Sequence, residues 1–222
     1  FNDMPEEKTV EYIHERHTKQ FSHLPEKVLQ FGEGNFLRAF VDWMIELSNK
    51  QGVFNGSVVI CQPIEQGMCK QLNAQNCQYT VIMRGIEDGV PFEKMERVSS
   101  ISRCINPYED YQSLLDVARS NDLRVVVSNT TEAGIAYHPD DRLSDQPPVS
   151  YPAKLCVLLY TRFKAFLSDP QKGLLILPVE LIDNNGAELK RIVYRYAQEW
   201  KLEAEFIHWL DASCEFASTL VD

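Results

Sequence analysis

Two glycines flanking one residue, Gly32-Glu33-Gly34, follow the apolar run Lys27-Val28-Leu29-Gln30-Phe31 and precede Asn35-Phe36-Leu37-Arg38-Ala39. That order suits diphosphate chemistry. The glycines allow a sharp turn with no side chain between backbone and ligand, and a helix starting at about Asn35 would aim unpaired N–H groups and its positive dipole end at phosphate oxygens. Taken alone, Gly-x-Gly is a weak signal, and the third glycine of the usual dinucleotide fingerprint is replaced by Leu37. Between a strand and a helix it becomes a stronger one, with a purely structural turn as the competing reading.

Three further loops hold polar groups after apolar runs. After residues 57–61, Gln62 stands where a carboxylate commonly accepts the ribose hydroxyls of a bound dinucleotide, and Glu65 lies three positions on. Before Lys70 there is no basic residue to meet a 2′-phosphate, so this loop favours NAD over NADP, unless Glu65 is simply a solvated surface residue. After residues 123–128 comes Asn129-Thr130-Thr131-Glu132-Ala133-Gly134, whose hydroxyls and amides suit either a nicotinamide ribose or a loop capped by its own side chains. Residues 178–186 form a polar turn of the same two-sided character.

The elements that position these loops are legible from periodicity. Strands are expected at 27–31, 57–61, 78–85, 93–105, 123–128 and 173–177, and helices at 35–50, 107–121, 152–167, 187–200 and 203–210. Continuous apolar strands alternating with helices predict an α/β fold, a Rossmann-type doubly wound and mostly parallel sheet with flanking helices. Residues 24–222 are expected to make this nucleotide-binding domain, and residues 1–23 an N-terminal arm or helix. His14 and His17, one turn apart in that arm, read as a solvated face and not as metal ligands.

Composition narrows the partners. The chain has 222 residues, 44% hydrophobic, with a net charge of −10, and an isoelectric point near 5.0. Such a balance argues against nucleic acid, which demands a basic footprint, yet permits a small anionic substrate. No apolar stretch approaches the roughly 20 residues needed to span a bilayer. Neither a secretory signal nor a CxxC motif is visible, and the six cysteines read as reduced packing residues of a cytoplasmic protein, with no metal site.

Longer blocks carry a resemblance. Residues 28–40, 127–135, 150–155 and 218–222 resemble the tagaturonate reductases, members of the mannitol dehydrogenase superfamily of long-chain polyol dehydrogenases. The resemblance runs from about Leu24 to the last residue. It implies reversible hydride transfer between NADH and a sugar acid, tagaturonate giving altronate in galacturonate breakdown. It places NAD binding on Val28, Leu29, Gln30, Phe31, Gly32, Glu33, Gly34, Asn35, Phe36, Leu37, Arg38 and Ala39, which the residue-level reading extends to Glu65, Thr130, Thr131 and Glu132. It also implies a C-terminal helical domain, absent from this chain, that carries the catalytic lysine, with Asp222 at the border of the cleft. In the wider superfamily an Asn stands where this chain has Leu181, so no substrate role is assigned there. The remaining alternatives are a fructuronate reductase or mannitol dehydrogenase sibling, and a nucleotide-binding module without turnover.

Overall fold

The computed structural model describes residues 21–131 and 134–220. The expected N-terminal arm, with His14 and His17, lies outside the described residues, as do Glu132 and Asp222.

Strand β1 (Glu26–Phe31) leads through the glycine turn into α1 (Asn35–Ala39) and α2 (Val41–Lys50). Next come β2 (Ser57–Cys61), α3 (Cys69–Ala74), β3 (Tyr79–Glu87), β4 (Val90–Val98) and β5 (Ile101–Ile105). The second half runs α4 (Tyr111–Arg119), β6 (Val125–Ser128), α5 (Tyr151–Ala165), β7 (Leu175–Pro178), α6 (Asn185–Glu199), α7 (Ala204–Ser213) and β8 (Glu215–Phe216).

Six strands form one sheet in the order β5-β2-β1-β6-β7-β8, and every pairing in it is parallel. This is the doubly wound arrangement that the apolar strands predict. Along each strand, side chains alternate between two cores. Leu29, Phe31, Val59, Val126 and Ile176 face the side covered by α4 to α7, whereas Val28, Val58, Ile60 and Val127 face the side of α1 to α3. With both faces buried, both are largely apolar, which is why these strands read as nearly continuous apolar runs.

Helix α3 and strand β8 were not expected, and two expected elements are each divided. The single helix expected over 35–50 is broken at Phe40, whose backbone lies at φ −114°, ψ −73°. The Tyr79 hydroxyl donates to the Arg38 carbonyl at 2.8 Å, occupying the acceptor that the Asp42 amide would use in an unbroken helix; a side chain entering the ladder this way kinks it. The strand expected over 93–105 is also two strands. β4 pairs only with β3, as a separate antiparallel hairpin, and β5 alone joins the main sheet. The break falls at Ser99 and Ser100, where the Glu46 carboxylate accepts the Ser99 N–H at 2.8 Å and removes it from any ladder. Along β3 exposed and half-buried residues alternate, the pattern of a strand with one solvated face.

Helix ends follow local chemistry. Asp110 accepts the Ser113 N–H at the start of α4, and Ser150 accepts the Ala153 N–H at the start of α5, with Pro152 in its first turn; both satisfy amides the helix cannot. Among the described residues, no helix is long and apolar enough to cross a membrane, and no group of three His, Cys, Asp or Glu side chains is placed to hold a metal ion. All six cysteines are buried and none is joined in a disulfide.

Candidate functional site

Strand order reverses between β1 and β6, so the loops leaving their carboxyl ends diverge and open a crevice, the place where ligands sit in such sheets. The two glycines at this point differ in kind. Gly32 has φ +118°, and a Cβ there would lie 2.7 Å from the Asn129 carbonyl oxygen. Its amide is held by the Cys61 carbonyl at 3.1 Å. Gly32 is therefore demanded by the fold, wedged between the ends of β2 and β6. Gly34 is not. It has φ −67°, which any residue adopts, and a Cβ there would meet nothing within 4 Å.

Gly34 precedes α1, whose first hydrogen bond is from the Arg38 amide to the Gly34 carbonyl. The amides of residues 35–37 therefore point out of the helix end, as first-turn donors do. Arg38 supplies a positive charge beside the turn. Its Nε donates to the Glu33 carbonyl at 2.9 Å and its Nη2 to Asn35 Oδ1. Val28, Leu29, Phe31 and Leu37 are buried, so what they contribute to a ligand passes through the geometry they fix. Leu37, in place of the third glycine, packs against Gly32. Asn35, Phe36 and Ala39 are exposed.

The second loop, after β2, is built around Gln62. Its buried amide donates to the carbonyls of Ile64 and Glu65 at 2.9 and 2.8 Å and accepts the Cys69 amide at 3.3 Å. Gln62 is thus spent on shaping residues 63–69, whereas Glu65 is exposed on that loop. Glu33 reaches across from the glycine turn to the same loop and accepts the Met68 N–H at 3.2 Å. Burial holds its carboxyl above the usual range, against the lowering by the Met68 bond and Arg38. Gly67 is the residue that lets both side chains in, since a Cβ there would collide with Glu33 Oε1 and Gln62 Cδ.

The third loop, after β6, is held by the fourth. The Thr130 amide and hydroxyl both donate to Glu180 Oε1, at 3.0 and 2.9 Å, and the Ser128 hydroxyl donates to Glu180 Oε2 at 3.1 Å. Asn129 Nδ2 donates to the Val179 carbonyl at 2.7 Å. So the caps of this loop come from the β7 turn and not from its own side chains. Thr131, exposed, has φ +76°, a strained conformation for a β-branched residue. Between these loops and the start of α5 lies a cavity of about 310 Å³, lined in part by Pro63, Ile64, Thr130, Thr131, Ser150 and Tyr151. The structure therefore brings the loops bearing Gly34, Glu65, Thr130 and Thr131 to one edge of the sheet.

The family description "Mannitol dehydrogenase Rossmann domain" matches residues 26–222. This chain belongs to the mannitol dehydrogenase family. Relatives within reach include the altronate oxidoreductases of Phocaeicola vulgatus, 48% identical over 198 residues, and of Enterobacter sp., 49% identical over 199. Each alignment covers 89% of this chain and 41% of the relative, so the chain spans well under half the length of these enzymes. Among solved structures, Pseudomonas fluorescens mannitol 2-dehydrogenase, in a ternary complex with NAD and D-mannitol, superposes with a TM-score of 0.73 at 19% identity, covering 88% of this chain and 41% of that one. A substrate-free D-sorbitol dehydrogenase gives 0.73 at 15% identity, covering 92% and 44%. At such identities the likeness is one of fold.

For a member of this family, the test is whether these residues fit a dinucleotide, and they do. The open face of Gly34, the outward amides of α1 and the nearby Arg38 suit a diphosphate, and the neighbouring cavity suits a flat ring. Four buried polar residues that hold the site together are not identified by sequence reasoning. Asp42 lies under the glycine turn, Glu180 binds the third loop, Asn185 binds the fourth, and Lys154 sits beneath the cavity. Lys154 Nζ donates to the Val149 carbonyl at 2.6 Å and to the Tyr108 hydroxyl at 3.2 Å, and burial pushes its amine down to about 8. For Asp42 there was a signal: Asp42 and Glu46, four apart among the apolar residues of the first two turns of α2, must share one face.

Proposed function

We propose that this chain is the NAD-binding part of an NAD-dependent oxidoreductase that interconverts tagaturonate and altronate. The observation that carries the reading is the contrast between Gly32, which the fold requires, and Gly34, which it does not. A glycine kept at an open, unstrained helix start is explained by a ligand that must approach the backbone there. NADH, when bound, supplies the hydride. The chain's own residues hold and orient: α1 amides with Arg38 on the diphosphate, Glu65 on the adenosine ribose, Thr130, Thr131 and Glu132 along the third loop. The sugar-acid substrate is supported by the altronate oxidoreductases above, and the share of their length covered here supports a catalytic domain beyond these residues. Residues 24–222 would then form the NAD-binding domain. Six buried cysteines, none in a disulfide, support a cytoplasmic location.

The test is a calorimetric titration with NADH. The chain is expected to bind saturably without reducing tagaturonate, because the family resemblance puts the proton-donating lysine in a helical domain beyond these residues. Gly34→Asp is expected to abolish binding with unchanged circular dichroism, since its carboxylate fills and repels the diphosphate position. Undiminished binding by that variant would place the site elsewhere.

A further inference from the structure

Directly beneath the glycine turn lies a buried polar cluster. Asp42, in the first turn of α2, has no exposed surface, and neither has Gln30 of β1. Gln30 Nε2 donates to the Gly32 carbonyl at 3.0 Å and to Asp42 Oδ2 at 3.2 Å. The bond to Gly32 fixes which way this amide faces, since a flipped amide would set oxygen against oxygen. Asp42 Oδ2 has one more neighbour, the Tyr79 hydroxyl at 3.4 Å. Two acceptors, Asp42 Oδ1 and Gln30 Oε1, are buried without a hydrogen-bond partner.

A carboxylate in such a place is badly served. Its partners are neutral, its bonds are long, and one oxygen receives nothing, a costly arrangement for a buried charge. Among the described residues the one cation facing it is Arg38 of α1, whose guanidinium is engaged by the Glu33 carbonyl and Asn35 Oδ1 and lies over the Tyr79 ring. From α2 itself comes Glu46, of the wrong sign and committed to Ser99; Gln30 and Tyr79 complete the surroundings, and Ser100 meets only the Asp42 backbone carbonyl. A proton on Asp42 removes the charge.

We propose that Asp42 is a positioning residue that holds a proton when the dinucleotide is bound, and that as a neutral acid it steadies the glycine turn through Gln30. This rests on the NAD-binding reading above. Burial moves the Asp42 carboxyl up to about 7 in the ligand-free chain, against the smaller lowering by Gln30, Tyr79 and Arg38. The free chain near neutral pH is therefore a mixture of charged and neutral Asp42. A diphosphate at the Gly34 end of α1 adds negative charge close by and selects the neutral form. By linkage, binding takes up a proton, and affinity falls as pH rises through about 7. If the complex stays neutral throughout, NADH affinity drops about tenfold between pH 6 and pH 8.

The test is NADH titration calorimetry across that range, in buffers of unlike ionisation enthalpy, with Asp42→Asn, Asp42→Ala and Glu33→Gln alongside. Asn reproduces the neutral acid, so Asp42→Asn is expected to bind as the chain does at pH 6, without pH dependence or proton uptake. Asp42→Ala is expected to bind weakly at every pH. Glu33→Gln, which removes the other raised carboxyl beside the turn, should still show proton uptake. An Asp42→Asn variant that keeps the wild-type slope, or falls as far as Asp42→Ala, overturns the proposal. Carbon-13 NMR of the Asp42 carboxyl in the free chain separates this from the cofactor reading. A midpoint near the ordinary aspartate value overturns the protonated acid even if NADH binds, and a midpoint near neutrality upholds it even if NADH binding fails.

Discussion

Glu65 and Gln62 show how two neighbouring residues divide a task. Both are polar, both follow β2, and from sequence either could meet a ribose. The structure commits the Gln62 amide to three backbone groups of its own loop and leaves Glu65 exposed. Cofactor choice should therefore separate from loop integrity. Glu65→Lys is expected to weaken NADH and strengthen NADPH, shifting their affinity ratio roughly ten- to hundredfold, the scale of one charge-assisted hydrogen bond lost and a repulsion reversed. Gln62→Ala is expected to weaken both together and leave the ratio alone. Parallel fluorescence titrations with the two cofactors decide it. A ratio moved by Gln62→Ala and not by Glu65→Lys would return Glu65 to the solvated surface.

At the scale of elements, α5 shows what a central helix must bury besides hydrocarbon. It packs against α4, α6 and α7, and Arg162 on it is completely buried. Its guanidinium donates to the carbonyls of Ala118, Ser120, Leu123 and Lys172 at 2.6 to 3.1 Å. Two of these belong to the end of α4, where carbonyls have no helical partner. Burial lowers the Arg162 pKa to about 10, so it stays charged at neutral pH, paired with dipoles and not with a carboxylate. Arg162→Met keeps the volume and leaves the carbonyls unserved, which should cost about 3–5 kcal/mol. Thermal unfolding should show Tm lowered by roughly 10 °C, whereas a drop under about 2 °C would mean that water or backbone adjustment replaces the guanidinium.

Elements were also where the sequence was most readable. Strands buried on both faces announce themselves as apolar runs, so β1, β2, β6 and β7 are found within a residue or two. The break at Phe40 was not visible, because its cause is the Tyr79 hydroxyl, 39 positions away. The division of residues 93–105 was hidden for the same reason: Glu46 takes the Ser99 amide across the fold. Short β8, with two residues, carries too little pattern to register. Of the site, the glycine turn was legible because conformational need leaves a mark in residue type. Asp42, Glu180 and Asn185 were less so: the four-residue spacing of Asp42 and Glu46 marks a shared helix face but not a buried one, and a polar residue in a loop or at a helix start reads as solvated until its partners are known.

For the whole molecule, the ligand-facing edge of the sheet is joined by buried side chains where no ladder can reach. Gln30 ties the glycine turn to α2, Glu33 ties it to the second loop, and Glu180 ties the third loop to the fourth. Asn185 closes the series. Its Nδ2 donates to the carbonyls of Pro178 and Glu180 and to the Thr219 hydroxyl, and its Oδ1 accepts the Gly186 and Thr219 amides. Gly186 permits the approach, because a Cβ there would lie 2.5 Å from the Ala217 carbonyl oxygen. The segment after β8 is thereby fastened to the β7 turn through Asn185 and through the Thr219 hydroxyl, which donates to the Pro178 carbonyl at 2.7 Å. Asn185→Ala should cost about 1–3 kcal/mol and act locally, since the core strands do not depend on it. Amide hydrogen exchange is expected to speed at Gly186 and Thr219, with β1, β2 and β6 unchanged. Asn185→Asp should loosen the same amides further, because it sets an oxygen against the Pro178 and Glu180 carbonyls. Unchanged exchange at Thr219 in both variants would mean that the strand pairing of β8 and the Thr219–Pro178 bond hold this segment without Asn185, and uniform acceleration throughout would make Asn185 a part of the global core.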